Sequence, residues 1–310
     1  MKNTGNVSAG RRVLRIIKQN WILYLFVTPS MLYLILFNYI PLYGIQLAFK
    51  NFSAAMGIWG SPWVGLSHFE RFFESYQFWD LIRNTLVLSV YSLCMNFPIP
   101  IILAILLNYS VSQRFKKFAQ AVTYAPYFIS VVVLVGMIQV FFATDGPINQ
   151  VLRLLGTQEP VLFMGKAEYF KHIFVWSGVW KQAGWGSIIY IASLAGVNPE
   201  LHEAAIVDGA NKMQRVLHID LPGILPTAVI MLIMSVGNIM SLGFEKAYLL
   251  QNDINIGVSE IIPTYVYKVG LQSAQYSYST AIGLFNNCIN FILLVSVNRI
   301  AGRLSGSSLW

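Results

Sequence analysis

The chain has 310 residues, of which 56% are hydrophobic and only 11% are charged, and its formal net charge is +8 at pH 7. Soluble domains usually carry about 25% charged residues, so this composition excludes an ordinary soluble protein and indicates one that crosses a membrane several times. The positive charge does not indicate nucleic-acid binding, because the sequence has no basic stripe with interleaved aromatic residues. Cys94 and Cys288 both lie in apolar segments and predict no disulfide framework.

The N-terminus carries basic residues before a long apolar run. Four of them lie between positions 11 and 18, and an uncharged segment follows at residues 21–49. A secretory signal peptide has a shorter apolar region, of about 7–15 residues, followed by a small-residue cleavage site, and no such site follows here. The sequence therefore predicts a cytoplasmic basic tail at residues 1–20 and an uncleaved first transmembrane helix at residues 21–49.

Six apolar runs are long enough to cross a bilayer, which takes about 20 residues in a helix. Because backbone groups cannot stay unpaired in hydrocarbon, each run is predicted to be a helix, and internal prolines such as Pro98 and Pro126 predict kinks. We therefore predict an all-α, polytopic integral membrane protein with six transmembrane helices. It would have an extracytoplasmic loop at residues 50–79, a five-helix core at residues 80–298 and a cytoplasmic tail at residues 299–310. The six runs lie at about residues 21–49, 85–108, 119–142, 173–195, 224–248 and 280–297.

The distribution of basic residues predicts the orientation. With the N-terminus inside the cell, the inside segments hold twelve Lys and Arg residues, whereas the longer outside segments hold seven. Acidic residues show the opposite distribution, with most of them outside. By the positive-inside rule, both termini and the loop at residues 198–222 are predicted to be cytoplasmic.

The loop at residues 198–222 has the signals of two short helices. Asn198 is a good N-cap for a first helix that runs to about residue 207. Gly209 can take the left-handed conformation that a sharp bend after this helix requires. A second helix is predicted at about residues 211–218, and Pro222 is expected to end it before the fifth run.

The same loop contains seven residues in a fixed pattern: Glu-Ala-Ala, three residues, Gly, nine residues, then Ile, one residue and Leu-Pro. These residues are Glu203, Ala204, Ala205, Gly209, Ile219, Leu221 and Pro222. The pattern resembles the signature loop of bacterial ABC importer permeases, which form the membrane path and take their power from a separate ATPase. The resemblance implies that the first helix docks in a groove on the ATPase, with Glu203 paired to a basic group and Gly209 at the bend. A hairpin that packs only on its own protein is the alternative.

Four further stretches extend the resemblance along nearly the whole chain. They lie at residues 124–130, 243–251, 265–271 and 305–310, and the first reads Tyr-Ala-Pro-Tyr-Phe-Ile-Ser. Together they look like the LplB-type permeases, which are sugar or oligosaccharide importer subunits common in Gram-positive bacteria. The resemblance implies a type I ABC importer permease fold in the bacterial cell membrane. It also implies assembly with a second permease subunit, two ATPase subunits and an extracytoplasmic solute-binding lipoprotein.

No catalytic or nucleotide-binding residues are expected in this chain, which is not predicted to be an enzyme. The phosphate-binding pattern G-x-x-x-x-G-K-[ST] is absent, since the only Gly-Lys pair, Gly165-Lys166, is followed by Ala167. His202 and His218 have no third ligand at metal spacing, so no metal site is predicted. By the resemblance, ATP and Mg²⁺ would be bound by the partner ATPase, and this chain would need no cofactor of its own.

Aromatic and polar residues in the fourth and fifth runs are the candidate substrate contacts. Sugars are bound by aromatic faces together with groups that hydrogen-bond hydroxyls. An ionisable residue inside a membrane normally faces a bundle interior or a wet cavity, so Lys181 is either a path residue or a structurally paired one. Tryptophans near the end of a span are often interfacial instead. The candidates are Trp180, Lys181, Trp185, Asn238 and Phe244.

The predicted function is passage of a sugar or oligosaccharide across the membrane, coupled to separate ATPase subunits through the loop at residues 198–222. A permease of the same fold for another solute, such as an amino acid or phosphate, is the first alternative. An ion-coupled secondary transporter is less favoured, because it needs acidic residues near the membrane midplane and only Glu245 is a candidate. A membrane sensor or assembly factor without transport would not need the complete loop motif.

Overall fold

The structure is a computed structural model that describes residues 18–306, 308 and 309. Most of the predicted basic tail, residues 1–17, lies outside the described residues. Across the described part of the chain the fold is helical, with an isolated backbone bridge between Lys50 and Trp63 as its one β-type pairing. The prediction of an all-α protein is confirmed.

The first apolar run forms a long helical rod at the edge of the molecule. Helix α1 (Trp21–Leu34) continues through a π-turn (Ile35–Tyr39), a short α-helical segment (Ile40–Leu42) and a 3₁₀ segment (Tyr43–Phe49). Side chains are exposed from the start of α1 to the start of the 3₁₀ segment. The 3₁₀ segment packs against the last helix of the chain and buries Ala48 there. Among the residues that the structure describes, the rod therefore packs on the core at its C-terminal end.

Two short helices, Gly57–Gly60 and Ser67–Phe73, lie between this rod and the core. Phe72 is fully buried, and its ring meets the rings of Phe78 and Phe285 edge to face with centroids 5.1 and 5.5 Å apart. Such pairs add to the stabilisation that burial alone provides. This aromatic cluster holds the segment onto the core.

The second run is a 31-residue helical span in two parts. Helix α2 (Phe78–Asn96) and helix α3 (Pro98–Asn108) meet at Phe97. Pro98 and Pro100 lie in the first turn of α3, where their lack of an N–H leaves few hydrogen bonds unmade.

The third run is sharply broken. Helix α4 (Gln113–Tyr124) and a 3₁₀ turn (Ala125–Phe128) meet helix α5 (Val131–Phe141) at an angle of 102°. The break lies at Ser130, which has extended backbone and accepts a hydrogen bond from the Val133 N–H at 3.2 Å, as an N-cap does. The kink predicted near Pro126 is thus a break of more than a right angle, and the segment is a broken span or a re-entrant loop.

The fourth run lies within helix α6 (Ala167–Ala195), which follows a short helix at Pro147–Leu154. At a rise of about 1.5 Å per residue, α6 is roughly 43 Å long, which is enough to cross a bilayer. It packs against α2, α3 and α4. Its polar residues, Lys181 among them, leave it outside the four helices that are long and apolar enough to qualify as spans by composition.

The predicted cytoplasmic loop begins with helix α7 (Pro199–Val207). A second helix starts at Lys212–Arg215, passes through a π-turn (Val216–Asp220) and continues as α8 (Leu221–Gly237). The prediction that Pro222 ends the second helix is therefore wrong. In a regular α-helix Pro222 would crowd the carbonyl one turn earlier, and the wider π-turn at this place relieves that crowding.

The fifth run ends earlier than predicted. Helix α8 ends at Gly237, a 3₁₀ turn follows at Ile239–Ser241, and helix α9 begins only at Phe244 (Phe244–Leu250). Between them Gly243 has a φ of +31°, a conformation that side chains disfavour. The prediction of one helix over residues 224–248 is wrong, because the chain turns at residues 238–243.

The last part of the chain begins with a short helix (Ile256–Ser259), helix α10 (Ile262–Tyr267) and a π-turn (Lys268–Gln272). Lys268 Nζ lies 2.6 Å from Glu260 Oε1 and ties this segment together. Helix α11 (Tyr276–Ser305) follows and contains the predicted sixth run.

Three apolar clusters hold the core together. The largest joins α2, α5, α6 and α9, the second surrounds Phe72 and α11, and the third joins α3, α6 and α8. Four helices of the described residues are long and apolar enough to cross a membrane, and the bent α4–α5 pair supplies a fifth candidate. Together with α6, this set is compatible with the predicted six spans.

Candidate functional site

Helix α7 is sharply defined at both ends. Its N-cap is Asn198, whose Oδ1 accepts a hydrogen bond from the Glu200 N–H at 3.0 Å. At the other end Gly209 has a φ of +81°, and the Ala210 N–H donates to the Ala205 carbonyl at 2.8 Å. The bond from Ala210 and the conformation of Gly209 are those of a Schellman motif, in which a left-handed glycine turns the chain away from the helix axis. The cap and the bend lie where the sequence predicts them.

The Glu-Ala-Ala half of the loop motif lies on an exposed helix. Glu203 and Ala204 are exposed and Ala205 is half-buried, and no side chain of α7 is buried. Large apolar side chains are exposed beside them, with 53% of Leu201 and 55% of Ile206 accessible to solvent. An exposed surface of this kind, with apolar side chains next to an acid, is suited to contact with another protein.

The Ile-x-Leu-Pro half of the motif enters the membrane core. Leu221 packs with Tyr190, Leu194 and Ile224 in the cluster at the ends of α3, α6 and α8, whereas Ile219 is half-buried and Pro222 is exposed. The motif therefore runs from an exposed helix to a packed one within twenty residues.

Asp220, inside this motif, is a buried acid that the sequence did not mark as a site residue. Its side chain is 1% exposed. Tyr109 donates its hydroxyl to Asp220 Oδ2 at 2.6 Å, and His202 Nε2 of α7 lies 3.4 Å from Asp220 Oδ1. The Arg215 guanidinium lies 5.7 Å from the centre of the Tyr109 ring. We call these four residues the inner polar cluster.

The environment of Tyr109 fixes its protonation state. Burial, the hydrogen bond to Asp220 and the charge of Asp220 raise the pKa of Tyr109 to about 12, and the nearby Arg215 offsets only part of this rise. Tyr109 therefore remains a hydrogen-bond donor to Asp220 at physiological pH. The available sequence signals were a tyrosine directly after one apolar run and an aspartate four residues before another, and neither showed that the two would meet.

A polar cavity of 660 Å³ lies between α2, α6, α8 and α9. This volume is in the range of ligand-binding pockets. Asn290 of α11 supports its wall at the turn after α8, where its side chain accepts from the Met240 N–H and donates to the Ser241 hydroxyl, both at 2.9 Å. The polar side chains that line the cavity are Ser89, Ser92, Asn96, Lys181, Gln182, Ser235, Asn238, Ser241, Glu245 and Lys246.

Two lysines line this cavity. Lys246 packs its ammonium group 4.0 Å from the centre of the Phe174 ring and donates to the Phe174 carbonyl at 2.5 Å. Gly178 makes room for it, because a Cβ at that position would lie 2.8 Å from Lys246 Nζ. Within the described part of the chain neither Lys181 nor Lys246 has a carboxylate within 4.0 Å.

The predicted substrate contacts divide between three places. Lys181, Asn238 and Phe244 line the polar cavity. Trp180 instead lines a separate apolar groove between α5 and α6, together with Trp176 and Tyr169. Trp185 stacks face to face on Tyr127, with ring centroids 4.5 Å apart and planes 6° apart. The structure therefore brings three of the five candidates to one cavity.

Comparison with known proteins agrees with the predicted family. The sequence profile of the binding-protein-dependent transport system inner membrane component family matches residues 96–306. The protein LplB of Bacillus subtilis (strain 168) is 41% identical over 294 residues, which cover 94% of this chain and 92% of LplB. YteP of the same organism, a polygalacturonan/rhamnogalacturonan transport system permease protein, is 41% identical over 301 residues, which cover 97% of this chain and 93% of YteP.

Two solved structures share the fold. One is the crystal structure of a bacterial alginate ABC transporter in complex with an alginate pentasaccharide-bound periplasmic protein. Its matching chain has a TM-score of 0.89 and 35% identity, and the match covers 96% of this chain and 100% of that one. The other is the crystal structure of a bacterial ABC transporter involved in the import of the acidic polysaccharide alginate, with a TM-score of 0.88 and 37% identity over 95% of this chain and 99% of that one.

The family profile spans more than half of the chain, and the two relatives match almost all of it. The agreement with the alginate transporter chains extends to the whole fold, so the predicted type I ABC importer permease fold is confirmed. The chain is therefore a membrane-spanning ABC importer permease of the binding-protein-dependent transport system inner membrane component family.

Proposed function

We propose that this chain is one permease subunit of an ATP-driven importer of oligosaccharides, coupled to separate ATPase subunits through the loop at residues 198–222. The observation that carries the proposal is the arrangement of the loop motif. Its Glu-Ala-Ala half is exposed on α7, where another protein can reach it, and its Ile-x-Leu-Pro half enters the helix that lines the polar cavity. Similarity to LplB, to YteP and to the alginate transporter supports the oligosaccharide class.

The proposed function implies three kinds of protein partner. A second permease subunit would complete the membrane path, two ATPase subunits would bind ATP and Mg²⁺, and an extracytoplasmic binding protein would deliver the solute. A periplasmic protein is present in the similar alginate transporter complex. The chain would have both termini and α7 on the cytoplasmic side of the bacterial cell membrane. The positive-inside rule predicts this orientation from the excess of basic residues in these segments.

In the proposed mechanism this chain changes conformation to pass the solute and catalyses no reaction itself. Docked ATPase subunits would displace α7 when they bind ATP and close. Since α7 leads into α8, that displacement would reach the helix that walls the cavity and would change the side of the membrane to which the cavity opens. The solute would be held in the cavity by hydrogen bonds from the serine and asparagine side chains of its lining and by the face of Phe244.

The charges of the cavity support a narrower substrate class, oligosaccharides that carry carboxylates. Lys181 and Lys246 line it, and among the described residues Glu245 is the one acid in the lining. Lys246 already donates to the Phe174 carbonyl, whereas Lys181 has no carboxylate within 4.0 Å among the described residues. An ammonium group away from bulk water is costly without a partner, and a uronate carboxylate would supply one to Lys181 through a charge-assisted hydrogen bond. The similar alginate transporter imports an acidic polysaccharide.

The test is uptake by the complete complex in liposomes, with the second permease, the ATPase and the binding protein present. Uptake of a labelled oligouronide should require ATP. Lys181→Gln should lower the uptake rate about tenfold, the size expected for loss of one charge-assisted hydrogen bond, and Lys181→Arg should retain most of it. The affinity of the binding protein, a separate chain, should stay unchanged.

Two results would count against parts of this proposal. Uptake that proceeds without ATP and follows an ion gradient would favour a secondary transporter and exclude the importer. A Lys181→Gln complex that imports the oligouronide at the wild-type rate would leave the importer standing and remove the argument for an acidic substrate.

A further inference from the structure

The inner polar cluster joins three separate parts of the chain. Tyr109 directly follows α3, His202 lies in α7, and Asp220 and Arg215 lie just before α8. The cluster is therefore a point where the exposed loop helix meets the ends of two helices of the membrane core.

A buried carboxylate such as Asp220 is costly unless other groups solvate it. Here the Tyr109 hydroxyl donates a hydrogen bond to Oδ2 at 2.6 Å, and the His202 imidazole approaches Oδ1 at an ion-pair distance of 3.4 Å. Within the described residues Oδ1 accepts no hydrogen bond, so His202 is the group placed to compensate its charge. Removing one of them would leave part of the charge uncompensated. Moving Tyr109 or His202 away from Asp220 would therefore cost free energy, so the three side chains are expected to move together.

Helix α7 has little else to hold it against the core. None of its side chains is buried. Within the described residues, the contact of His202 with Asp220 is the one ion pair or hydrogen bond that a side chain of α7 makes to a membrane helix. Apart from the chain connections at its two ends and the packing of half-buried side chains such as Ala205, the polar contact of α7 with the membrane helices is therefore made by His202.

Asp220 also lies at a place where the helix geometry changes. It is the last residue of the π-turn that joins Lys212–Arg215 to α8. Wide turns of this kind accommodate a shift between the helical segments on either side more readily than regular helix does. A force applied at Asp220 would act on the start of α8 and, through Tyr109, on the end of α3.

We propose that His202, Asp220 and Tyr109 form the link that transmits displacement of α7 to α3 and α8, so that ATP hydrolysis by a docked partner is coupled to opening and closing of the membrane path. This rests on the proposed importer function. The three residues are positioning residues: they touch neither nucleotide nor solute, and they determine how far movement of the docking helix reaches the core.

The experiment compares His202→Leu with His202→Gln in the complete complex in liposomes. Leucine has a similar size and no donor, whereas the glutamine amide can place an N–H close to the position of Nε2. The readouts are assembly with the ATPase, the rate of ATP hydrolysis and the number of solute molecules imported per ATP. Thr227→Val is the matched control, because it removes one hydroxyl hydrogen bond, to Ser193 at 3.1 Å, between α6 and α8 without involving α7.

His202→Leu should assemble and hydrolyse ATP, but import per ATP should fall at least about fivefold, the lower end of typical coupling between sites. Tyr109→Phe should lower it in the same direction, and His202→Gln should return it to near the wild-type value. Thr227→Val should leave it unchanged.

Import per ATP that is unchanged in both His202→Leu and Tyr109→Phe would overturn the link. So would a His202→Leu chain that no longer assembles and that glutamine does not rescue, because the cluster would then be needed only for folding. Failure of the wild-type complex to couple uptake to ATP at all is a different outcome, which would overturn the importer function itself.

Discussion

At the scale of single residues, the inner polar cluster shows how one phenol can hold a buried charge in place. Tyr109 has an ordinary pKa of 10.0 when free, and its environment in the fold raises this to about 12. A group whose pKa is raised by folding binds its proton more tightly in the folded protein than in the unfolded one. Its contribution to stability is therefore complete below pH 10 and is lost as the pH rises towards 12.

This gives a prediction for alkaline conditions. The melting temperature of the wild-type chain in detergent should exceed that of Tyr109→Phe at pH 9, and the difference should shrink by pH 11, where the unfolded chain releases this proton and the folded chain does not. The ultraviolet difference spectrum between the two proteins should show one tyrosine that ionises near pH 12. A Tyr109 that ionises at pH 10, with a constant melting difference, would show that the buried hydrogen bond to Asp220 does not form.

The candidate substrate contacts show what residue patterns can and cannot predict. Trp180 and Lys181 are adjacent in sequence, but successive residues of a helix point about 100° apart, so the two side chains reach different sides of α6. Lys181 faces the polar cavity and Trp180 an apolar groove. The sequence indicates that an intramembrane lysine needs a polar environment, but only the packing of neighbouring helices determines which side provides it.

At the scale of helices, local signals were good predictors of local structure. Asn198 caps α7 and Gly209 ends it, because both effects depend only on a few neighbouring residues. The continuation of the helix past Pro222 was missed because a π-turn has no clear sequence signal. The contact of His202 with Asp220 was missed because it requires the hairpin to fold back, which the residues near each of them do not determine.

The exposed face of α7 gives a prediction about docking. Glu203→Lys should place like charges in contact if the ATPase presents a basic group, and such a juxtaposition can cost several kcal/mol. The complex should then assemble poorly, and both uptake and solute-stimulated ATP hydrolysis should fall. Glu200→Lys is the matched control, since it makes the same charge reversal on the same exposed helix outside the motif.

Full uptake and full ATPase stimulation in Glu203→Lys would mean that α7 is not the docking helix. Equal losses in Glu200→Lys and Glu203→Lys would instead indicate a general effect of charge on the loop and no specific role for the motif.

At the scale of the whole molecule, composition and the loop motif predicted the class, fold and family of the chain. The structure is compatible with six spans, but the predicted fifth run ends at Gly237 and the third is broken at Ser130. The broken α4–α5 segment and the turn at residues 238–243 depend on contacts from other helices, such as those of Asn290 with Met240 and Ser241. Those contacts also form the wall of the cavity, so neither the position nor the lining of the cavity could be predicted from the sequence.

The orientation in the membrane is still a prediction, and labelling of single cysteines tests it. In a chain without Cys94 and Cys288, Ser112→Cys and Lys212→Cys should be protected from an impermeant thiol reagent in intact cells, whereas Thr157→Cys and Asp253→Cys should react. All four positions are exposed in the fold, so protection would reflect the side of the membrane and not burial. The reason for the expectation is the excess of basic residues in the segments on the same side as α7.

Permeabilised cells provide the control, because all four cysteines should then react. Reaction at residues 112 and 212 from outside, with protection at 157 and 253, would place α7 on the wrong side of the membrane for a cytoplasmic ATPase and would contradict the proposed coupling at its first step.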